Sequence, residues 1–99
     1  MATGGDGVIS VVSNPAPALV RALLDAFAAG DLVEARRLHH QQLRLTRLLF
    51  AEPNPIAVKA TMNLLGRVGL EVRSPLCKAD LDSPLVSAIA ATLTELGLR

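Results

Sequence analysis

Apolar positions along this chain change their period near residue 15. Before that point they run together: Val8-Ile9-Ser10-Val11-Val12 is β-branched, apolar on both faces, and bounded by Gly4-Gly5 and Asn14-Pro15. Such a run predicts a short strand from Gly7 to Val12, covered on both sides as in a parallel sheet. After it, apolar residues recur at helical spacing. Leu19, Val20, Leu23, Leu24 and Phe27 form one stripe, entered through Asn14-Pro15 with Asn14 as N-cap and stopped by Gly30. Asp31-Leu32-Val33-Glu34 is close to a capping box. It opens a second helix with Ala35, Leu38, Gln42, Leu45 and Leu49 inward, ended by Pro53. Asn54-Pro55 supplies an N-cap and an N1 proline for a third helix, with Val58, Met62 and Leu65 apolar and Gly66 and Gly69 weakening its end. Asp82-Ser83-Pro84 starts a fourth, with Leu85, Ile89, Leu93 and Leu96 on one face and Gly97 closing it.

The expected layout is therefore mostly α: one β-strand plus four helices. The only other extended candidate is Leu70-Glu71-Val72-Arg73. A lone strand of buried type leaves its backbone groups unpaired, which is costly. The pattern already points to a piece of something larger.

Composition narrows this further. The 99 residues allow one domain at most, and 51% of them are apolar, which excludes disorder. A chain of this length buries roughly 60–68% of its unfolded surface, so it is marginal unless well packed or assembled. There is no Trp or Tyr and there are only two Phe, so Leu, Val, Ile and Ala must build the core. A net charge of +1 gives no global pull toward nucleic acid or an anionic membrane. The single Cys77 rules out an internal disulfide and fits a reducing compartment. No stretch approaches the apolar length of a membrane span, and MATGGDG lacks the basic-then-apolar order of a secretory signal. The expected location is cytoplasmic.

Two segments carry a family resemblance. GGDGVISVVSN (4–14) resembles the eighth barrel strand of the dihydrodipicolinate synthases, which are Schiff-base-forming class I lyases. EPNPIAVK (52–59) is similar to that family's Glu-Pro-Asn-Pro-Ile-Pro-Val-Lys signature, departing at Ala57 where a second proline is usual. GLEVRSPL (69–76) and the closing ELGL (95–98) resemble the family's connector and last helix. The resemblance runs in order from Gly4 to the end. It implies the C-terminal part of a (β/α)8 TIM barrel, with residues 1–30 as its last strand and helix and 31–99 as a helical appendage. A whole barrel needs about 250 residues.

The same resemblance implies a parent reaction, the condensation of pyruvate with aspartate semialdehyde in the diaminopimelate route to lysine. In the family the Schiff-base lysine lies on the sixth strand and the relay tyrosine earlier still. Lys59 and Lys78 do not match that lysine, and the chain has no tyrosine. No catalytic residue is therefore expected here, and the chain should be inactive by itself. Ile9 matches the family position whose main chain borders bound pyruvate; an ordinary barrel-core isoleucine is a compatible reading. Gly7 would let the strand approach its neighbours closely. No cofactor is expected. The expected partners are pyruvate in the whole enzyme, and either a second copy or the missing barrel part.

Other constellations are weaker. Arg36, His40, Arg44 and Arg47 share one face of the second helix. A nucleic-acid patch is the sharp interpretation. Without interleaved aromatics, a solvated face or a contact to an acidic surface is preferred, and no nucleic-acid partner is expected. His39 and His40 are adjacent and so point about 100° apart, which is not the i, i+4 metal pattern. Cys77 has no orienting pair and reads as a small buried hydrophobe rather than a nucleophile. Lys59 and Asn63, one turn apart, read either as a polar anchor toward the barrel or as a solvated pair. Glu52 has several arginines as candidate partners. Two rival readings remain: a related pyruvate-dependent aldolase, and a free-standing helical interaction module.

Overall fold

The computed structural model describes all of residues 1–99. Its regular elements are four helices, α1 (Pro17–Ala28), α2 (Leu32–Leu49), α3 (Ile56–Leu64) and α4 (Pro84–Glu95). Two of the four starts follow local capping chemistry as expected. The Asp31 carboxylate accepts from the Glu34 amide at 3.0 Å, and the Ser83 hydroxyl oxygen accepts from the Val86 amide at 3.3 Å with Pro84 in the first turn. The other two do not. Helix α1 begins at Pro17 with Ala16 as an unaided N-cap, because Asn14 turns its side-chain amide back to the Val11 carbonyl at 2.9 Å. Helix α3 begins at Ile56 with Pro55 at the cap and no side-chain bond from Asn54.

Helix α1 ends on a Schellman motif. Gly30 takes φ +79°, its amide donates to Phe27 at 3.0 Å, and the Asp31 amide donates to Ala26 at 2.9 Å. A side chain at that φ is strained, which is why glycine sits there. The same pair of bonds closes α3 at Gly66 and α4 at Gly97.

The expected strand is not formed. No backbone–backbone hydrogen bond involves residues 5–10, and the chain is already turning at Val11, whose carbonyl accepts from the Asn14 amide at 3.1 Å. A strand needs a neighbour to ladder with, and this chain holds none. The second extended candidate, 70–73, is likewise irregular. Nothing lies within 4 Å of a Cβ built on Gly7, so no close approach occurs there within the chain. Of the four apolar residues expected to be stranded in solvent, Val8 (59% exposed) and Ile9 (fully exposed) are so, while Val12 is only 5% exposed and Val11 is half-buried.

One core runs through the helices. Val12, Ala16, Val20, Leu45, Leu49, Ala57, Ile89 and Leu93 form a continuous buried cluster, so α1 and the three later helices share it. Two buried threonines are tolerated because Thr61 and Thr92 donate their hydroxyls to the carbonyls of Ala57 and Ala88, both at 2.8 Å. Small Ala57 and Ala60 on α3 are fully buried. Only 15 of 99 residues are buried, however. The surface of 6227 Å² exceeds the about 5,400 Å² expected of a compact monomer of this mass. The radius of gyration, 14.5 Å, likewise exceeds the about 13 Å of a compact domain this long. No helix is long and apolar enough to cross a membrane.

Candidate functional site

The two segments that carry the resemblance, far apart in sequence, meet in space. An open cleft of about 410 Å³ has Ile9, Val11 and Asn14 on one wall and Asn54, Pro55, Val58 and Lys59 on the other, with Met62 and Val68 completing it. The first wall exists because the turn at Val11–Asn14 redirects the chain into α1. It is tied by the Ser13 hydroxyl donating to the Ser10 carbonyl at 2.7 Å and by the Asn14 amide bond to Val11. The second wall is the start of α3, whose first turn follows the Asn54-Pro55 peptide, which is cis.

Lys59 and Asn63 prove to be anchors, for the connector rather than for another domain. Lys59 donates its ammonium to the Glu71 carbonyl, and Asn63 donates its side-chain amide to the Val68 carbonyl at 2.9 Å. The connector in turn reaches the first wall, since Arg67 donates to the Asn14 carbonyl at 3.4 Å. Arg67 and Val68 were invisible to pattern reading, because the connector has no period; the sole signal is Gly66, which ends α3 just before them.

Chemically the cleft offers donors and apolar wall but no acid–base pair. Lys59 is the one titratable side chain lining it, and its ammonium already serves a backbone carbonyl. A nucleophile needs an activating base within hydrogen-bond reach, and none lines this cleft. Ile9 stands at its edge with its side chain in solvent.

The remaining candidates lie elsewhere. Arg44 of the basic face pairs with Glu95 of α4 at 2.7 Å, while Arg36, His40 and Arg47 remain exposed without an acidic partner. Arg37 bonds Glu34 at 2.7 Å; that hydrogen bond holds the Glu34 carboxyl below its ordinary range and raises the Arg37 guanidinium. Arg21 is raised in the same way by its hydrogen bond to Asp25. The His39 and His40 rings meet edge to face, 5.6 Å apart. Cys77 is exposed in the connector, not buried as expected, because the segment around it forms no helix to cover it. Glu52 forms no ion pair.

An unladdered apolar segment feeding a helix, with three further helices behind it and a cleft at the segment's exit, is the architecture of a closing barrel unit with a helical appendage. The chain belongs to the dihydrodipicolinate synthetase family, whose model matches residues 1–95. It is 49% identical over 94 residues to the 4-hydroxy-tetrahydrodipicolinate synthase of Geobacter sp. (strain M21), a match covering 95% of this chain and 30% of that protein. With the same enzyme of Geobacter sulfurreducens it shares 52% identity over 77 residues, covering 78% of this chain and 27% of the relative. Among solved structures, the dihydrodipicolinate synthase of Thermotoga maritima superimposes with a TM-score of 0.93 at 42% identity, covering 99% of this chain and 32% of that one. A structure from the characterisation of a monomeric dihydrodipicolinate synthase variant gives the same values. The chain thus spans about 30% of the length of the curated relatives it matches.

Proposed function

We propose that this chain supplies the C-terminal third of a dihydrodipicolinate synthase-like class I lyase, the cytoplasmic enzyme that condenses pyruvate with aspartate semialdehyde on the route to diaminopimelate and lysine. The observation that carries this reading is the meeting of GGDGVISVVSN and EPNPIAVK in one cleft, within a chain that superimposes almost entirely on about a third of a complete synthase. In this reading residues 1–30 are the last strand and helix of the barrel and residues 31–99 its appendage. The division belongs to the whole barrel, since in this chain both parts share a core. The main chain at Ile9 borders bound pyruvate, which fits the gathering of functional groups at the C-terminal ends of barrel strands. Its solvent-facing side chain then packs against barrel parts that this chain does not contain.

The Schiff-base lysine belongs to the part outside these residues, so the chain alone is catalytically inert. The test is a graft. The first two thirds of the Geobacter sp. (strain M21) enzyme, joined to this chain in place of its own last third, should form a pyruvate-dependent Schiff base and condense aspartate semialdehyde. The chain alone should give no borohydride-trapped pyruvate adduct. A folded but inactive graft, or an adduct at Lys59 or Lys78 of the isolated chain, overturns the proposal.

A further inference from the structure

Outside the cleft, the least satisfied surface of the molecule is the one around the unladdered segment. Residues 5–10 make no backbone–backbone hydrogen bond toward either side. Val8 and Ile9 expose their side chains there. Beside them runs a groove of about 380 Å³ between the segment, α1 and α2, walled by Val20, Leu23, Leu24, Leu43 and Phe50 and without a Lys, Arg, Asp or Glu. Gln42, on the same groove, holds its side-chain carbonyl oxygen away from water with no donor in the chain. Buried polar atoms are nearly always paired, so this one is unmatched by the chain's own packing. The surface in excess of a compact monomer of this mass is of the order of one partner's share of a standard interface.

We propose that residues 5–10 and this groove form a single docking surface for a sheet that ends in unpaired parallel strands: the remaining two thirds of the family's barrel, whether continuous with this chain or carried on a separate one. The inference rests on the functional reading above and deepens it by naming the surface and its mode of engagement, strand addition backed by an apolar helix face. The length of the relatives argues for this occupant. About two thirds of each complete synthase lies outside the superposition, yet 99% of this chain, segment 5–10 included, falls inside it. The segment therefore follows the course it has beside the rest of a barrel, although nothing in the chain holds it there by backbone hydrogen bonds. A second copy is the poorer occupant. Two such segments pairing with each other leave one open edge on each, whereas the barrel remainder closes both edges of one segment. An uncharged groove suits an apolar helix face and not an acidic or basic peptide.

The experiment mixes the intact 99-residue chain with the separately produced first two thirds of the Geobacter sp. (strain M21) synthase, with that enzyme's own last third as the positive comparison. Size-exclusion chromatography with light scattering should give a one-to-one complex. Hydrogen exchange at residues 5–10 should slow by at least about tenfold in it. Val8→Asp should weaken the complex at least about tenfold while leaving the thermal midpoint of the isolated chain unchanged, since Val8 is exposed there. Absence of a complex overturns the proposal, whether or not the enzyme's own third binds, because the surface is proposed to hold without a covalent link. A complex that leaves residues 5–10 unprotected overturns it too, as does a homodimer of this chain that protects them equally. The functional reading fails separately: an active graft with no complex in trans leaves it standing and removes the docking surface, and an inactive graft beside a protected complex does the reverse.

Discussion

Val12 and Ile9 sit three residues apart in one apolar run, and their substitution by alanine should have opposite consequences. Val12 is 5% exposed within the cluster that includes Ala16, Val20 and Leu45. Removing its two methyl groups loses about 0.8 kcal/mol each in transfer, to which the residual cavity adds, for a total of about 2 kcal/mol. For a domain of this length each kcal/mol moves the midpoint by about 4–8 °C, so Val12→Ala should lower it by about 8–16 °C. Ile9 is fully exposed, and Ile9→Ala should stay within about 0.5 kcal/mol. The assay is thermal unfolding by circular dichroism at a concentration where light scattering gives a monomer. If Ile9→Ala costs as much as Val12→Ala, residue 9 is buried within the monomer and the segment has a native place in a self-sufficient fold. The same reasoning fixes where a deletion can fall: removing residues 1–9 should leave the helices intact and more soluble, whereas removing 1–13 takes a core residue with it.

Three further outcomes are expected. Arg37 lowers the Glu34 pKa from its ordinary 4.5, so the stabilisation from this exposed pair is present above that value and fades as pH falls through the lowered one; Glu34→Gln should flatten the acid limb of the stability curve, and an unchanged limb counts against the pair. Replacing both Lys59 and Asn63 by alanine should release the connector from α3, seen as faster limited proteolysis between residues 67 and 82 with the helical circular dichroism signal retained; unchanged cleavage means the connector is held by other contacts. The basic face of α2 should bind RNA or DNA no better than about 10⁻⁴ M at physiological salt, and a sequence-selective complex tighter than micromolar would point to the rival interaction module.

Sequence by itself determined the helices, because a helix is a local structure whose signals lie within a few residues of one another. Apolar spacing found all four. Asp31 and Ser83 announced two of the starts, and Gly30, Gly66 and Gly97 the left-handed stops. Sequence also carried the family, through two motifs that need no coordinates to be read. Helix entry was less legible where a residue had a competing bond: Asn14 looks like a cap, but the Val11 carbonyl is nearer in a tight turn. Lys59 and Asn63 were legible as a pair, but their partners were not, since the connector they hold has no periodicity. The run Gly7–Val12 was legible as strand-forming, and its composition is indeed that of a strand. Only the tertiary structure decided that no ladder forms, that Val12 joins the helical core while Ile9 stands in solvent, and that the two motifs face each other across one cleft. The physical reason is that a helix closes its hydrogen bonds within itself, whereas a strand closes them only on a neighbour, and composition cannot say whether that neighbour is present.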